Sequence, residues 1–183
     1  GYCTPTINSD GVVYVGGHKN ILHAFKPNGE HKWRYDVNES NDASERIHSS
    51  VAIGLNSELY FGSFWDKKIY AISDKGKLLW KFQTAGNIHG SPAVSVQGDI
   101  FIGSRDGYLY ALSPGGNLKW KYKTDAGEGS GINSSPAIGP DGNIYFGATD
   151  GKLYALSKDG VKKWTFNTGG NISSSPIIGY NNK

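Results

Sequence analysis

Methionine is absent from this chain of 183 residues, and cysteine occurs once, at Cys3. A single thiol excludes an internal disulfide and any thiolate cluster around a metal. No apolar run approaches the roughly 20 residues that cross a bilayer as a helix, and no signal-peptide pattern opens the sequence. Charge is scarce as well. Charged residues make up 19% and the formal net charge is +3, too weak a field to argue for nucleic acid or an anionic membrane surface as partner. No stretch carries helical periodicity of useful length. With no methionine to start it, the chain reads as processed or as a piece of something longer.

Glycine, at 26 residues, and aromatic side chains, at 13%, are plentiful. The rings restore buriable area, and glycines among so many rings mark turns rather than disorder. Their spacing repeats. "AFKPNGEHKW" (Ala24 to Trp33), "AISDKGKLLW" (Ala71 to Trp80), "ALSPGGNLKW" (Ala111 to Trp120) and "ALSKDGVKKW" (Ala155 to Trp164) share one pattern. Each holds an Ala, a Gly five residues on, and a Trp four after that. The tryptophans stand 47, 40 and 44 residues apart, and Pro5, Val51, Pro92, Pro136 and Pro176 mark a second register. The extra length falls between units, in "VNESNDASERIH" and "TDAGEGSGIN", where loops tolerate it.

Within a unit the pattern predicts four short strands. In the fourth, strand A covers Ser134 to Gly139, strand B is "IYFGA", strand C "KLYALS" and strand D "KKWTFNT". The turns between them carry Gly, Asp and Asn, which supply positive φ or local hydrogen bonds. Strand B is apolar on both faces and must be covered on both. Strand D alternates rings with Lys, which suits an outer edge. Small antiparallel sheets covered on both faces, repeated at about 40 residues, describe the blades of an all-β propeller.

The Ala, turn Gly and Trp spacing, following a strand that ends in Gly, resembles the pyrroloquinoline-quinone (PQQ) enzyme repeat of quinoprotein-like β-propellers, from Thr4 to Ile178. The resemblance implies that Trp33, Trp80, Trp120 and Trp164 lock each blade to its neighbour. Two features depart from the family. Where its motif carries Asp, this chain has Lys26, Ser73, Ser113 and Ser157, with a turn one residue shorter, as in a degenerate, non-enzymatic branch. Relatives close with seven or eight blades. Here four complete repeats, at about 4–48, 49–89, 90–133 and 134–173, precede the first strand of a fifth at 174–183. The expectation is a partial propeller whose open edges meet missing blades or a second copy.

The family's enzymes hold PQQ on the propeller axis with calcium, an Asp base and, in many, a disulfide of adjacent cysteines. One cysteine excludes the disulfide, and Asp106, Asp141, Asp150 and Asp159 each stand in a hairpin turn beside Gly, where turn chemistry accounts for them. No catalytic residue, metal or cofactor is therefore expected; PQQ with calcium enters only if the chain is a fragment of a PQQ-dependent dehydrogenase. His18, His23 and His31 fall in different parts of one unit and read as ordinary imidazoles.

The loop face is more informative. In antiparallel blades the D–A connections and B–C loops emerge together, which collects Arg46, His48, His89, Asn133 and Ser173 with Phe64, Trp65 and Arg105. A regular Ile (Ile47, Ile88, Ile132, Ile172) precedes each polar position, like a fixed peg beside a changeable rim. Trp65 alone among the tryptophans lies outside the motif register, and Trp is favoured at contact surfaces. The expected function is a non-catalytic binding or scaffold propeller that takes a protein or small ligand on this face. The dehydrogenase fragment and the sensing domain of a larger receptor or kinase are the alternatives. The resemblance also implies an extracytoplasmic location.

Overall fold

The computed structural model describes residues 3–17, 19–37, 47–127 and 130–179. Among them run sixteen strands and no helix, in four antiparallel sheets of four strands each. The first sheet takes β1 (Thr6–Ile7), β2 (Val13–Gly16), β3 (Ile21–Phe25) and β4 (His31–Asp36). The second takes β5 (Ala52–Ile53), β6 (Leu59–Gly62), β7 (Lys68–Ile72) and β8 (Leu78–Gln83). The third takes β9 (Ala93–Val94), β10 (Ile100–Gly103), β11 (Tyr108–Leu112) and β12 (Leu118–Lys123). The fourth takes β13 (Ala137–Ile138), β14 (Ile144–Gly147), β15 (Lys152–Leu156) and β16 (Lys162–Asn167). Strands adjacent in sequence are adjacent in each sheet, so every unit is one propeller blade.

Strand register explains the Ala-to-Trp spacing. Ala111 lies directly opposite Trp120 across β11 and β12, and the pairing shifts by a bulge immediately after Ala111. The same pairing and shift recur at Ala24 with Trp33, Ala71 with Trp80 and Ala155 with Trp164. Gly116 turns the chain between the two strands at φ 81°, a left-handed conformation that side chains resist. It also leaves room for a neighbour, because a Cβ there would lie 2.6 Å from Trp80 Cδ2 of the preceding blade.

Three junctions join the four blades, and each repeats the same contacts. Trp33 Nε1 donates to Asp74 O at 2.8 Å, Trp80 Nε1 to Pro114 O at 2.8 Å and Trp120 Nε1 to Lys158 O at 3.0 Å. Two residues beyond each Trp, a second ring meets the next blade: Tyr35 against Tyr70, Phe82 against Tyr110 and Tyr122 against Tyr154. The apolar core therefore lies between blades, with clusters such as Tyr14, Leu22, Phe61 and Ile72 spanning two of them. Strands β6 and β10, each flanked on both sides, are buried along their whole length. The last blade lacks a neighbour on one side. There β16 is exposed throughout, with Trp164 at 45% and Phe166 at 63%.

The inner strands are shorter than the sequence pattern predicts. β13 holds only Ala137–Ile138 of the expected six residues. Pro136 has no N–H to give, and the serine before it spends its own on the segment that follows the blade. Thr4 N donates to Ser50 Oγ, Ser50 N to Ser91 Oγ, Ser91 N to Ser135 Oγ and Ser135 N to Ser175 Oγ, all at 2.7–2.9 Å. Residues 174–179, expected to open a fifth blade, form no strand because none lies beside them. Ser175 nevertheless occupies the fifth place in this series.

Candidate functional site

Among the described residues, the B–C loops of the second, third and fourth blades and the segments that follow those blades meet on one face, stitched by backbone hydrogen bonds. Arg105 N donates to Asn87 O, Ile132 N to Ser104 O and Ile172 N to Ala148 O, at 2.9, 3.0 and 3.1 Å. Beneath them each peg isoleucine seats on the glycine that ends strand B. A Cβ on Gly62, Gly103 or Gly147 would come within 2.1–2.2 Å of Ile88, Ile132 or Ile172 Cγ2. Only a bare backbone lets the connection lie that close.

Asp106 anchors the middle of this face. Its Oδ2 accepts from Ala85 N, Gly86 N and the Tyr110 hydroxyl at 3.0, 3.2 and 2.7 Å, and its Oδ1 from Tyr108 N at 2.9 Å. The turn reading of Asp106 captured only the last of these. The recurring Asp and Tyr four residues apart was the missed signal. Tyr70 donates to Asp66 and Tyr154 to Asp150 in the same way, whereas the first blade has Lys19 and His23 at these positions. Burial, and then the bond to Asp106, raise the pKa of the Tyr110 hydroxyl.

Around this anchor the structure brings five of the sequence-predicted residues together. The His48 ring lies 5.0 Å from Phe64 and 5.4 Å from His89 between centroids, and Phe64 meets Trp65 edge-on at 5.2 Å. The Arg105 guanidinium carbon stands 5.8 Å from the centre of the Phe64 ring. Trp65 is 48% exposed, and the other four are half-buried. Asn87, which the sequence pattern did not single out, fixes the loop by donating from Nδ2 to Phe64 O at 2.6 Å. Asn133 lies beside His89, whose ring N–H donates to the Asn133 backbone carbonyl. Burial lowers the His89 pKa below its ordinary value and the Arg105 charge adds to this, against that bond. Ser173 stands apart at the exposed end of the fourth blade. Arg46 and His18 lie outside the described residues. His23 and His31 face each other, Nδ1 to Nε2 at 3.3 Å, on the open side of the first blade.

The donors of the described residues do not fit a calcium-held quinone. Among the described residues no three His, Cys, Asp or Glu side chains converge as a metal would need, and calcium takes six to eight oxygens. The carboxylates of Asp66, Asp106 and Asp150 are turned to their tyrosines. No helix among the described residues is long and apolar enough to cross a membrane.

A family model described as outer membrane protein assembly factor BamB matches residues 65–179. Among solved structures, BamB from Moraxella catarrhalis is 18% identical with a TM-score of 0.71, the match covering 90% of this chain and 48% of that one. Quinohemoprotein alcohol dehydrogenase from Comamonas testosteroni is 19% identical with a TM-score of 0.74, over 91% of this chain and 34% of its own. Virginiamycin B lyase from Staphylococcus aureus is 18% identical with a TM-score of 0.73, over 89% and 54%. The chain thus spans between a third and about half of these proteins, and likeness at such identities is one of fold. A comparison with curated proteins finds no match.

Proposed function

The chain belongs to the family described as outer membrane protein assembly factor BamB, and on that premise we propose that it is a binding propeller without chemistry of its own, which recognises a partner through its loop face. The carrying observation is the ring cluster of His48, Phe64, Trp65 and His89, half-buried at its base and exposed at Trp65. Such clusters, rigid beneath and open above, are where contact energy concentrates. The family's description, an outer-membrane assembly factor, supports a protein as the partner and an extracytoplasmic location. A displayed peptide library selected on this chain tests the reading. Selected peptides are expected to lose roughly 30-fold or more in affinity for Trp65→Ala, the scale of a hot-spot residue. Peptides that bind this variant as well as the parent would move the recognition surface elsewhere.

The open flanks call for a second occupant. The fourth blade presents Trp164 and Phe166 uncovered, and the turn at Gly29 of the first blade, the counterpart of Gly76, Gly116 and Gly160, has nothing within 4 Å of a Cβ position. We propose that a further blade covers these flanks, from missing chain or a second copy, because apolar patches of this kind rarely stay exposed. Light scattering on the 183-residue chain should show self-association, weakened by Trp164→Ala. A clean monomer at high concentration with cooperative melting would mean that four blades suffice.

A further inference from the structure

Arg105 is the one residue of the ring cluster whose charge has no answer. Its backbone N–H is bonded to Asn87, but among the described residues its guanidinium has no carboxylate in ion-pair reach and donates no hydrogen bond. Its Nε is buried without a partner. The adjacent carboxylate, Asp106, has both oxygens committed to Tyr110, Tyr108 and the connection before them. A guanidinium carries five donors and no acceptor, and a buried donor left without an acceptor is costly. Close by, Asn133 Oδ1 is also buried without a partner; it is an acceptor that lacks a donor. The two residues flank the same ring, since the Asn133 backbone bonds His89 and the Arg105 charge acts on it. An unmet set of donors beside an unmet acceptor, next to aromatic rings, specifies a ligand of matching polarity.

We propose that this site binds a carboxylate adjacent to an amide N–H, as an acidic residue or the C-terminus of a peptide presents them. Arg105 takes the carboxylate in charge-assisted hydrogen bonds, the strong kind. Asn133 Oδ1 accepts from the amide, and Phe64 with Trp65 receives the neighbouring apolar side chain. The assignment rests on the loop-face reading and narrows it from a surface to a chemical class.

N-acetyl-L-phenylalanine carries all three groups. Its carboxamide lacks the charge, and 3-phenylpropanoate lacks the amide N–H. Titration followed by the ring signals of His48 and His89 and the indole of Trp65 is expected to show saturable binding of the acid, at least about tenfold tighter than the carboxamide. Arg105→Gln should abolish that preference, and Asn133→Ala should weaken the N-acetyl acid while leaving 3-phenylpropanoate unchanged. Equal binding of acid and carboxamide at these rings, or tighter binding of inorganic phosphate, overturns the assignment and leaves the loop face as a recognition surface. Shifts confined to other parts of the blades, or no saturable binding of the acid, also overturn it. The first of these counts against the face itself, and the second leaves the peptide selection to judge it.

Discussion

Trp120→Ala is expected to lower the free energy of unfolding by about 2–3 kcal/mol, somewhat below the range for truncating a fully buried aromatic, because the indole is half-buried at the blade junction. The indole is held from two sides. Phe101 of its own blade lies 5.7 Å away between ring centroids, and the turn at Gly160 of the next blade closes over it so tightly that a Cβ there would lie 2.7 Å from Trp120 Cδ2. Truncation empties this slot and removes the bond from Nε1 to Lys158 O. Backbone on both sides of the slot belongs to hydrogen-bonded hairpins, so the gap cannot collapse cheaply. Trp65→Ala, at a half-exposed loop position, should cost under about 1 kcal/mol. Denaturant melts of the two variants test the contrast, and equal losses would remove the distinction between junction and surface tryptophans.

Gly103→Ala should be at least as damaging for the opposite reason. A methyl at this position would sit 2.2 Å from Ile132 Cγ2 and 2.8 Å from its Cβ. Ile132 is fully buried, and a β-branched side chain has little freedom to rotate its first carbon away. The connection entering the fourth blade must move instead. Overpacking commonly costs 1–3 kcal/mol, and a forced backbone shift puts this case at about 3 kcal/mol or above. Ile132→Ala alone should also destabilise, by about 2–5 kcal/mol. In the double variant the two changes relieve each other, so the combined loss should fall short of the sum by at least about 1 kcal/mol. Strict additivity in chemical melts would show that this contact is not the cause.

The blades were legible in the sequence because their determinants are local and repeated. Ala111 and Trp120 pair across one hairpin, and the turn between them carries its own glycine. Strand β10 had to be covered on both faces, and it is. The assembly of His48, Phe64, Trp65, His89 and Arg105 followed from strand direction alone, which decides which loops share a face. The inner strands were less legible. Ser91 and Ser135 stand 44 residues apart and bond between blades, so no local pattern shows that their N–H groups are withdrawn from the sheet. Asp106 hid in the same way. Its turn bond to Tyr108 is local, but its bonds to Ala85 and Gly86 span 21 and 20 residues, and only the fold brings those groups together.

Each sheet closes its hydrogen bonds within one unit, as β9 to β12 do between Ala93 and Lys123. During synthesis a sheet is therefore complete before the next begins to emerge. Its tryptophan is not. Trp33 waits 41 residues for Asp74, Trp80 waits 34 for Pro114, and Trp120 waits 38 for Lys158. At 5–20 residues per second, that lag is about 2–8 s. Each finished sheet spends this interval with one flank wet, and the arrival of the next covers it while exposing another. Besides the standing flank of the first blade, the nascent chain thus carries one vulnerable surface that travels from blade to blade, and its area stays nearly constant however many blades have already formed.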